Sequence, residues 1–124
     1  MSQSNLLVAT VDDDRRVRES LQSVLESAGY EAVTFESAET FLLSGALSRV
    51  TCVIADVRLP GMDGTELQRL IRRERSQLPV IIITAHDDDG VRQQALRGGA
   101  VAFLVKPFDG GDLLAHIARA TNGF

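Results

Sequence analysis

Three acids, one hydroxyl and one amine stand at or directly after short apolar runs in this sequence. They are Asp12, Asp13, Asp56, Thr84 and Lys106. A carboxylate at the end of a buried run is costly unless another group pairs with it or uses it. Carboxylate oxygens suit a small hard cation such as Mg²⁺, while a lysine and a threonine hydroxyl suit phosphoryl oxygens. Such a set is typical of phosphoryl transfer, with Asp56 as the nucleophile that forms an acyl phosphate.

Five short runs rich in β-branched residues predict the strands that must position these side chains. The runs cover residues 6–11, 31–35, 51–55, 79–84 and 101–105. Four of them are almost continuously apolar, as in the strands of a parallel sheet that is covered on both faces. The second run is the most polar and is therefore the best candidate for an edge strand.

Helical patterns separate the runs. Apolar residues in a 3.6-residue rhythm predict five helices, marked by Val17, Leu21, Val24, Leu25 and Ala28; by Phe41 and Leu42 after a Ser37 cap; by Leu67, Leu70 and Ile71; by Val91, Ala95 and Leu96; and by Leu113, Leu114, Ile117 and Ala118. The repeated strand–helix alternation predicts an open, doubly wound α/β sheet. Because the carboxyl ends of parallel strands share one edge, residues 12, 56, 84 and 106 are expected to converge there.

The composition limits the classes of protein to which this chain can belong. The chain has 124 residues, a hydrophobic fraction of 44% and a net charge of -4, as expected for one globular domain. There is no general basic surface, so we expect no direct nucleic acid binding by this segment. The single cysteine, Cys52, excludes an internal disulfide and is expected to be buried. Neither a signal peptide nor a long apolar run is present, so we expect a cytoplasmic protein with no membrane association.

Four segments, in order along the chain, resemble the receiver domain of two-component response regulators. They read VDDD at 11–14, ADVRLPGMDG at 55–64, IITAH at 82–86 and FLVKPF at 103–108. The resemblance spans nearly the whole chain and implies a CheY-like, flavodoxin-like (βα)₅ fold with strand order 2-1-3-4-5. It also implies a single receiver domain over 1–124, with a core of about 5–121. The pattern is most similar to receivers attached to LuxR-type helix-turn-helix outputs.

The resemblance implies a phosphoacceptor and a metal site. A sensor histidine kinase or a phosphotransfer protein would phosphorylate Asp56. Asp12 and Asp13 match the acidic pair that holds Mg²⁺, with Asp56 and the backbone carbonyl of Arg58 as further ligands, and Mn²⁺ can substitute. The Lys106–Pro107 peptide matches the one that is cis in this family.

The resemblance also implies a switch. Thr84 matches the switch hydroxyl, Phe103 the switch aromatic and Lys106 the lysine that pairs with phosphate. Thr84 would move toward the phosphoryl group and Phe103 would fill the vacated space. The face formed by helix 4, strand 5 and helix 5 would then control an output domain or partner protein, and in this family that face often forms homodimers. Arg58 and His86 would modulate dephosphorylation.

Simpler interpretations of the acids remain open. Asp12 and Asp13 can cap the first helix, and Asp14 is assigned to that capping role alone. Asp56 and Lys106 can form an ion pair without any chemistry. In the loop after Asp56, Asp63 is expected to cap the third helix.

Three other functions could use the same edge of the sheet, and the sequence argues against each of them. A Mg²⁺-dependent aspartyl phosphatase or phosphotransferase usually has a second Asp two residues after the nucleophile, where this chain has Arg58. In a flavin-binding module the three acids would repel the FMN phosphate. A phosphorylation-independent adaptor would be marked by loss of Asp56 or Lys106, and both are present. We therefore expect a phosphoacceptor that catalyses only its own phosphotransfer and dephosphorylation, not an enzyme acting on external substrates.

Overall fold

A computed structural model describes residues 6–121 and contains a five-stranded parallel sheet in the order β2-β1-β3-β4-β5. The strands are β1 (Leu7–Val11), β2 (Glu31–Phe35), β3 (Cys52–Asp56), β4 (Val80–Thr84) and β5 (Ala102–Val105). The predicted fold class and strand order are thereby confirmed, with β2 at one edge. The predicted domain ends at 1 and 124, and the predicted core start at residue 5, lie outside the described residues.

Helices cover both faces of the sheet. They are α1 (Arg15–Ser27), α2 (Ala38–Leu43), α3 (Gly64–Glu74), α4 (Asp89–Arg97) and α5 (Gly110–Thr121), with a short 3₁₀ helix at Ala46–Ser48. One apolar core lies between the sheet and α2, α3 and α4, and a second lies between the sheet and α1 and α5. Within the described part of the chain, every helix is too short or too polar to traverse a lipid bilayer.

The central strands are buried on both faces because their side chains alternate between the two cores. In β3, Val53 and Ala55 belong to the first core, whereas Cys52 and Ile54 belong to the second. All five residues of β3 and of β4 are buried. A fully buried branched side chain stabilises the fold by about 1.5–3 kcal/mol relative to an exposed one. These two strands therefore form a rigid platform, and β3 ends at Asp56, one residue beyond the predicted strand.

Side-chain caps fix where the helices begin. Asp14 accepts a hydrogen bond from the amide of Arg16 at the start of α1, which confirms its predicted role. The predicted caps Ser37 and Asp63 form capping boxes at the starts of α2 and α3. Such caps satisfy amides of the first turn that have no partner inside the helix.

Three details of the predicted helices are wrong. Leu96 is 47% exposed rather than buried, because a helix turns by about 100° per residue and its neighbour Ala95 takes the inward position. Ala28 is exposed because it is the cap residue that follows α1. In α3, Leu70 is only partly buried, and the polar Gln68 takes a buried position instead.

Candidate functional site

Two neighbouring strands bring the acids together at the carboxyl edge of the sheet. The register pairs Val11 of β1 with Ala55 of β3, so the residues that follow them, Asp12 and Asp56, lie side by side. Asp12, Asp13 and Asp56 each offer a carboxylate oxygen, and these oxygens all lie within 4.8 Å of one another. Asp12 is fully buried, Asp56 is 7% exposed and Asp13 is exposed.

The backbone around Asp12 fixes the direction of its carboxylate. Its amide donates to the carbonyl of Phe35 in β2 at 3.0 Å, and Arg18 Nη1 donates to its carbonyl at 2.8 Å. The carboxylate accepts the amide of Asp14 on Oδ1 at 2.9 Å. The second oxygen, Oδ2, is thereby left to face the amine of Lys106.

Lys106 joins the two buried acids. Its Nζ donates to Asp12 Oδ2 at 2.8 Å and to Asp56 Oδ2 at 3.1 Å. The lysine is placed by its own amide, which donates to the carbonyl of Thr84 at 2.7 Å, and by its position just after β5. The Lys106–Pro107 peptide is cis. Burial alone would lower the pKa of Lys106, but the bonds and charges of the two carboxylates outweigh it and raise the pKa. The side chain therefore stays cationic.

The environment of Asp56 favours proton uptake more than that of an ordinary aspartate. Burial, and then the neighbouring charge of Asp12, raise its pKa, while Lys106 and the amide of Arg58 act in the opposite direction. The Arg58 amide donates to Asp56 Oδ1 at 3.3 Å. The two oxygens of the Asp56 carboxylate are thus oriented by different donors, Oδ1 by the Arg58 amide and Oδ2 by Lys106.

The donor set fits Mg²⁺. Lys106 pairs with Asp12 and Asp56, and Asp13 adds a third negative charge to the cluster. Like charges this close repel each other. All of the donor atoms are oxygens, which a hard cation such as Mg²⁺ prefers over the nitrogen and sulfur ligands typical of zinc. Asp13 is exposed, which leaves room for the water ligands that Mg²⁺ usually keeps. The Arg58 backbone carbonyl stays a predicted ligand.

Thr84 lies at the same edge. It is the last residue of β4 and is 2% exposed, and it follows Ile83, which pairs with Asp56 in the sheet. Its Oγ1 accepts the amide of His86 at 3.1 Å, and among residues 6–121 no hydrogen bond joins it to Asp56. The His86 side chain is exposed. Thr84 thus ties down the start of the loop between β4 and α4.

Phe103 is buried beneath an arginine. Phe103 is 7% exposed, and the guanidinium carbon of Arg92 in α4 lies 4.8 Å from the ring centroid. Arg92 also pairs with Asp87 Oδ1 at 3.0 Å. The ring therefore already occupies an inward position, and Arg92 connects it to the loop after β4.

The sequence did not predict several contacts, and two of them concern Lys106 and α4. The first is the Lys106–Asp12 pair, since the lysine was assigned only to phosphate or to Asp56. The second is Gln68, which is 3% exposed and donates from Nε2 to the carbonyl of Ala95 at 2.8 Å. A glutamine beside an apolar stripe gives no signal of a partner 27 positions away.

Comparisons with a family model and with individual known sequences point to the same family. Residues 8–118 match the response regulator receiver domain. The chain is 39% identical over 113 residues to the transcriptional regulatory protein FixJ of Bradyrhizobium diazoefficiens, which covers 91% of this chain and 55% of that protein. It is 40% identical over 115 residues to nodulation protein W of the same organism, covering 93% and 51% respectively. The chain thus spans about half the length of these relatives.

Solved structures agree. The BeF3-activated receiver domain of DrrB superposes with a TM-score of 0.87 at 31% identity, covering 94% of this chain and 97% of that one; DrrB is described as a Thermotoga maritima OmpR/PhoB homolog. The Vibrio cholerae chemotaxis protein CheY4 superposes with a TM-score of 0.84 at 29% identity, covering 93% and 98%. Both likenesses extend over almost the entire chain.

Proposed function

The chain belongs to the response regulator receiver domain family, and from this premise we propose that it is a signalling switch activated by phosphorylation of Asp56. One observation carries the proposal. The Asp56 carboxylate lies with Asp12 and Asp13 in a cluster of oxygens within 4.8 Å, and Lys106 Nζ is 3.1 Å from it. A nucleophile, a cation site and a fixed positive charge therefore share one edge of the sheet.

The proposed reaction transfers a phosphoryl group from a phosphohistidine. The donor belongs to a sensor histidine kinase or a phosphotransfer protein. A carboxylate oxygen of Asp56 forms a bond to phosphorus as the phosphorus–nitrogen bond of the donor breaks. The donor nitrogen keeps the electron pair and takes a proton from solvent, which leaves a neutral imidazole. Later attack of water on phosphorus releases phosphate and regenerates the Asp56 carboxylate.

Two side chains would receive the new phosphoryl oxygens. The ammonium of Lys106, now shared by Asp12 and Asp56, would pair with one oxygen, and the Thr84 hydroxyl would donate to another. Such groups act by positioning and by neutralising charge. Arg58 and His86, with side chains exposed beside the site, would modulate how fast water reaches the phosphoryl group.

The metal ligands would be the carboxylates of Asp12, Asp13 and Asp56 and the carbonyl of Arg58. Bound Mg²⁺, or Mn²⁺ in its place, would neutralise negative charge on the phosphoryl oxygens. The same three carboxylates repel one another when no cation balances them, so their placement within 4.8 Å at one edge is itself consistent with cation binding.

The signal would leave the site through Thr84. Donation to a phosphoryl oxygen would pull its hydroxyl away from the His86 amide and so shift the loop before α4. This helix is weakly anchored, since Ala95 is its one buried residue in the described structure, and Arg92 links it to Phe103. The face formed by α4, β5 and α5 would move and control an output domain or partner protein, with a homodimer as one outcome, in the cytoplasm.

The proposed function is tested by intact-protein mass spectrometry. The protein is incubated with acetyl phosphate and Mg²⁺, and we expect a mass gain of one phosphoryl group. Asp56→Asn should gain nothing, and EDTA should abolish the gain in the parent. The control is Asp112→Asn, which removes an exposed carboxylate in the first turn of α5 and should be labelled like the parent. Equal labelling of Asp56→Asn and parent would overturn the proposal.

A further inference from the structure

We propose that Glu39 is a positioning residue that holds the loop after Asp56 in the shape needed for metal binding. The loop comprises residues 57–63 and is called the β3–α3 loop. The inference rests on the proposed function, because it concerns how well the same site binds Mg²⁺. It assigns a role to a side chain on α2, a helix that contributes no other group to the site.

The direct observation is a hydrogen bond between two separate elements. Oε2 of Glu39 accepts the amide of Met62 at 2.8 Å, across 23 positions of sequence. Glu39 is in the first turn of α2, yet the cap of that helix is formed by Ser37 and Thr40. The Glu39 carboxylate therefore takes no part in the hydrogen bonds of the cap and instead accepts one from the loop.

The neighbouring glycine gives a second observation on the same carboxylate. Gly61 has φ = 72°, a conformation that favours glycine. A Cβ atom at Gly61 would lie 2.5 Å from Glu39 Oε2 and 3.1 Å from its Cδ. Because residue 61 has no side chain, the Glu39 carboxylate can approach the loop this closely without shifting.

The other hydrogen bonds that hold the loop in place are made by backbone groups at its two ends. The amide of Val57 donates to the carbonyl of Ile83 at 2.9 Å, and the amide of Gly64 donates to the carbonyl of Val57 at 2.8 Å. Among residues 6–121, the Glu39–Met62 bond is the one hydrogen bond that ties residues 58–62 to an element other than β3. The tip of the loop is therefore held from outside by Glu39.

The hydrogen bond between Glu39 and Met62 affects the proposed metal site through Arg58. The Arg58 amide donates to Asp56 Oδ1, and its carbonyl is the proposed backbone ligand. A loop free to move would present both groups less often in the binding geometry. Partners that orient metal ligands typically change metal affinity by about 10- to 100-fold when removed. Because Glu39 acts through a single exposed hydrogen bond, we expect the lower end, about tenfold, or about 1.4 kcal/mol.

The test compares Glu39→Ala and Glu39→Gln with the parent by Mg²⁺ titration calorimetry. In metal-free protein, hydrogen exchange of the Met62 amide is measured as well. Glu39→Ala should bind Mg²⁺ about tenfold more weakly and should expose Met62 to faster exchange. Glu39→Gln keeps an acceptor oxygen but loses the charge, and should stay near the parent in both measurements. Glu36→Ala removes an exposed charge three residues earlier and should also leave Mg²⁺ binding unchanged.

A double-mutant cycle adds a second arm. Gly61→Ala should weaken Mg²⁺ binding in the parent, because its methyl group displaces the Glu39 carboxylate. In the Glu39→Ala background the same change should cost less, since the clash is gone. The proposed role of Glu39 would be wrong if Gly61→Ala and Glu39→Ala had additive effects on Mg²⁺ affinity. It would also be wrong if Glu39→Gln bound Mg²⁺ as weakly as Glu39→Ala. If the parent binds Mg²⁺ and Glu39→Ala binds it equally well, only this inference fails; if the parent does not bind Mg²⁺, the proposed function fails with it.

Discussion

The ammonium of Lys106 lies 2.8 Å from Asp12 Oδ2, although 94 positions separate the two residues in sequence. The carboxylate of Asp12 is fully buried, and the lysine side chain is 18% exposed. With Asp56 at 3.1 Å, one cation thus balances two acids, one directly after β1 and one at the end of β3. The lysine consequently has a structural role in the unmodified protein, in addition to its proposed role toward phosphate.

The first prediction concerns Lys106→Met, which keeps the length of the side chain and removes its charge. It leaves Asp12 and Asp56 buried without their cation, and breaking a buried pair in this way costs about 3–5 kcal/mol. Because the site is partly open to solvent, we expect a loss of about 2 kcal/mol in the free energy of unfolding. Urea denaturation in metal-free buffer measures it, and added Mg²⁺ should restore more stability to the variant than to the parent.

The matched control for this prediction is Arg15→Met. Arg15 pairs with Glu19 at 3.0 Å, but both side chains are largely exposed. An exposed pair of this kind contributes about 0.3–0.5 kcal/mol. If the free energy of unfolding falls by the same amount in Lys106→Met and Arg15→Met, the ion pairs of Lys106 do not stabilise the unmodified protein.

A second prediction follows from Thr10, whose hydroxyl is buried in β1 and has no hydrogen-bond partner within residues 6–121. Thr10→Val replaces the hydroxyl by a methyl group of similar size, so an unpaired polar group is removed from the core. We expect the free energy of unfolding to rise by about 1 kcal/mol. Thr51→Val is the control, because that hydroxyl donates to the carbonyl of Leu7 at 3.0 Å and its loss should destabilise. A destabilised Thr10→Val protein would show that the hydroxyl is satisfied in solution.

The third prediction concerns the attachment of α4 to α3. Gln68→Leu keeps the buried volume but removes the donor to the Ala95 carbonyl. We expect a loss of about 1 kcal/mol in stability and faster amide hydrogen exchange in the last turn of α4. Gln94→Leu, an exposed change on α4 itself, should leave that exchange unaltered. Equal exchange in all three proteins would mean that Gln68 does not anchor the helix.

The fourth prediction uses the single cysteine. Cys52 is fully buried, and burial raises the pKa of its thiol from 9.0 to about 12. Because the folded pKa is the higher one, the contribution of this thiol to stability is fully present below pH 9 and is lost as pH rises toward 12. The free energy of unfolding should therefore fall more steeply over this range in the parent than in Cys52→Ala. Identical pH profiles of the two proteins would contradict the assignment.

Much of this fold could be predicted from the sequence because its strands are short, apolar and β-branched. The runs at 51–55 and 79–84 coincide within one residue with β3 and β4, since strands covered on both faces admit almost no polar residue. The meeting of residues 12, 56 and 106 follows from the same logic, because the carboxyl ends of parallel strands share an edge. The strand order itself came from the resemblance to the receiver family.

The rest depended on side-chain geometry that a linear pattern does not contain. Leu96 has the apolar character of a core residue, yet the short α4 turns it outward, and Gln68 is buried because a carbonyl from another helix satisfies it. The hydrogen bond between Glu39 and Met62 joins helix α2 to the loop after β3, and no local spacing in the sequence predicts that these two residues are close. Hydrophobicity predicts whether a residue is buried from its type alone. In the folded protein, a polar residue can be buried when a partner satisfies its hydrogen bonds.

Borohydride trapping shows whether Asp56 itself becomes the acyl phosphate. The protein is phosphorylated with acetyl phosphate and Mg²⁺, reduced with sodium borohydride, digested and sequenced by mass spectrometry. We expect conversion of Asp56, and of no other acid, to homoserine, with none detected when Mg²⁺ is omitted. Reduction at Asp12 or Asp13 in place of Asp56, or a phosphoryl group found on His86, would show that Asp56 is not the phosphoacceptor.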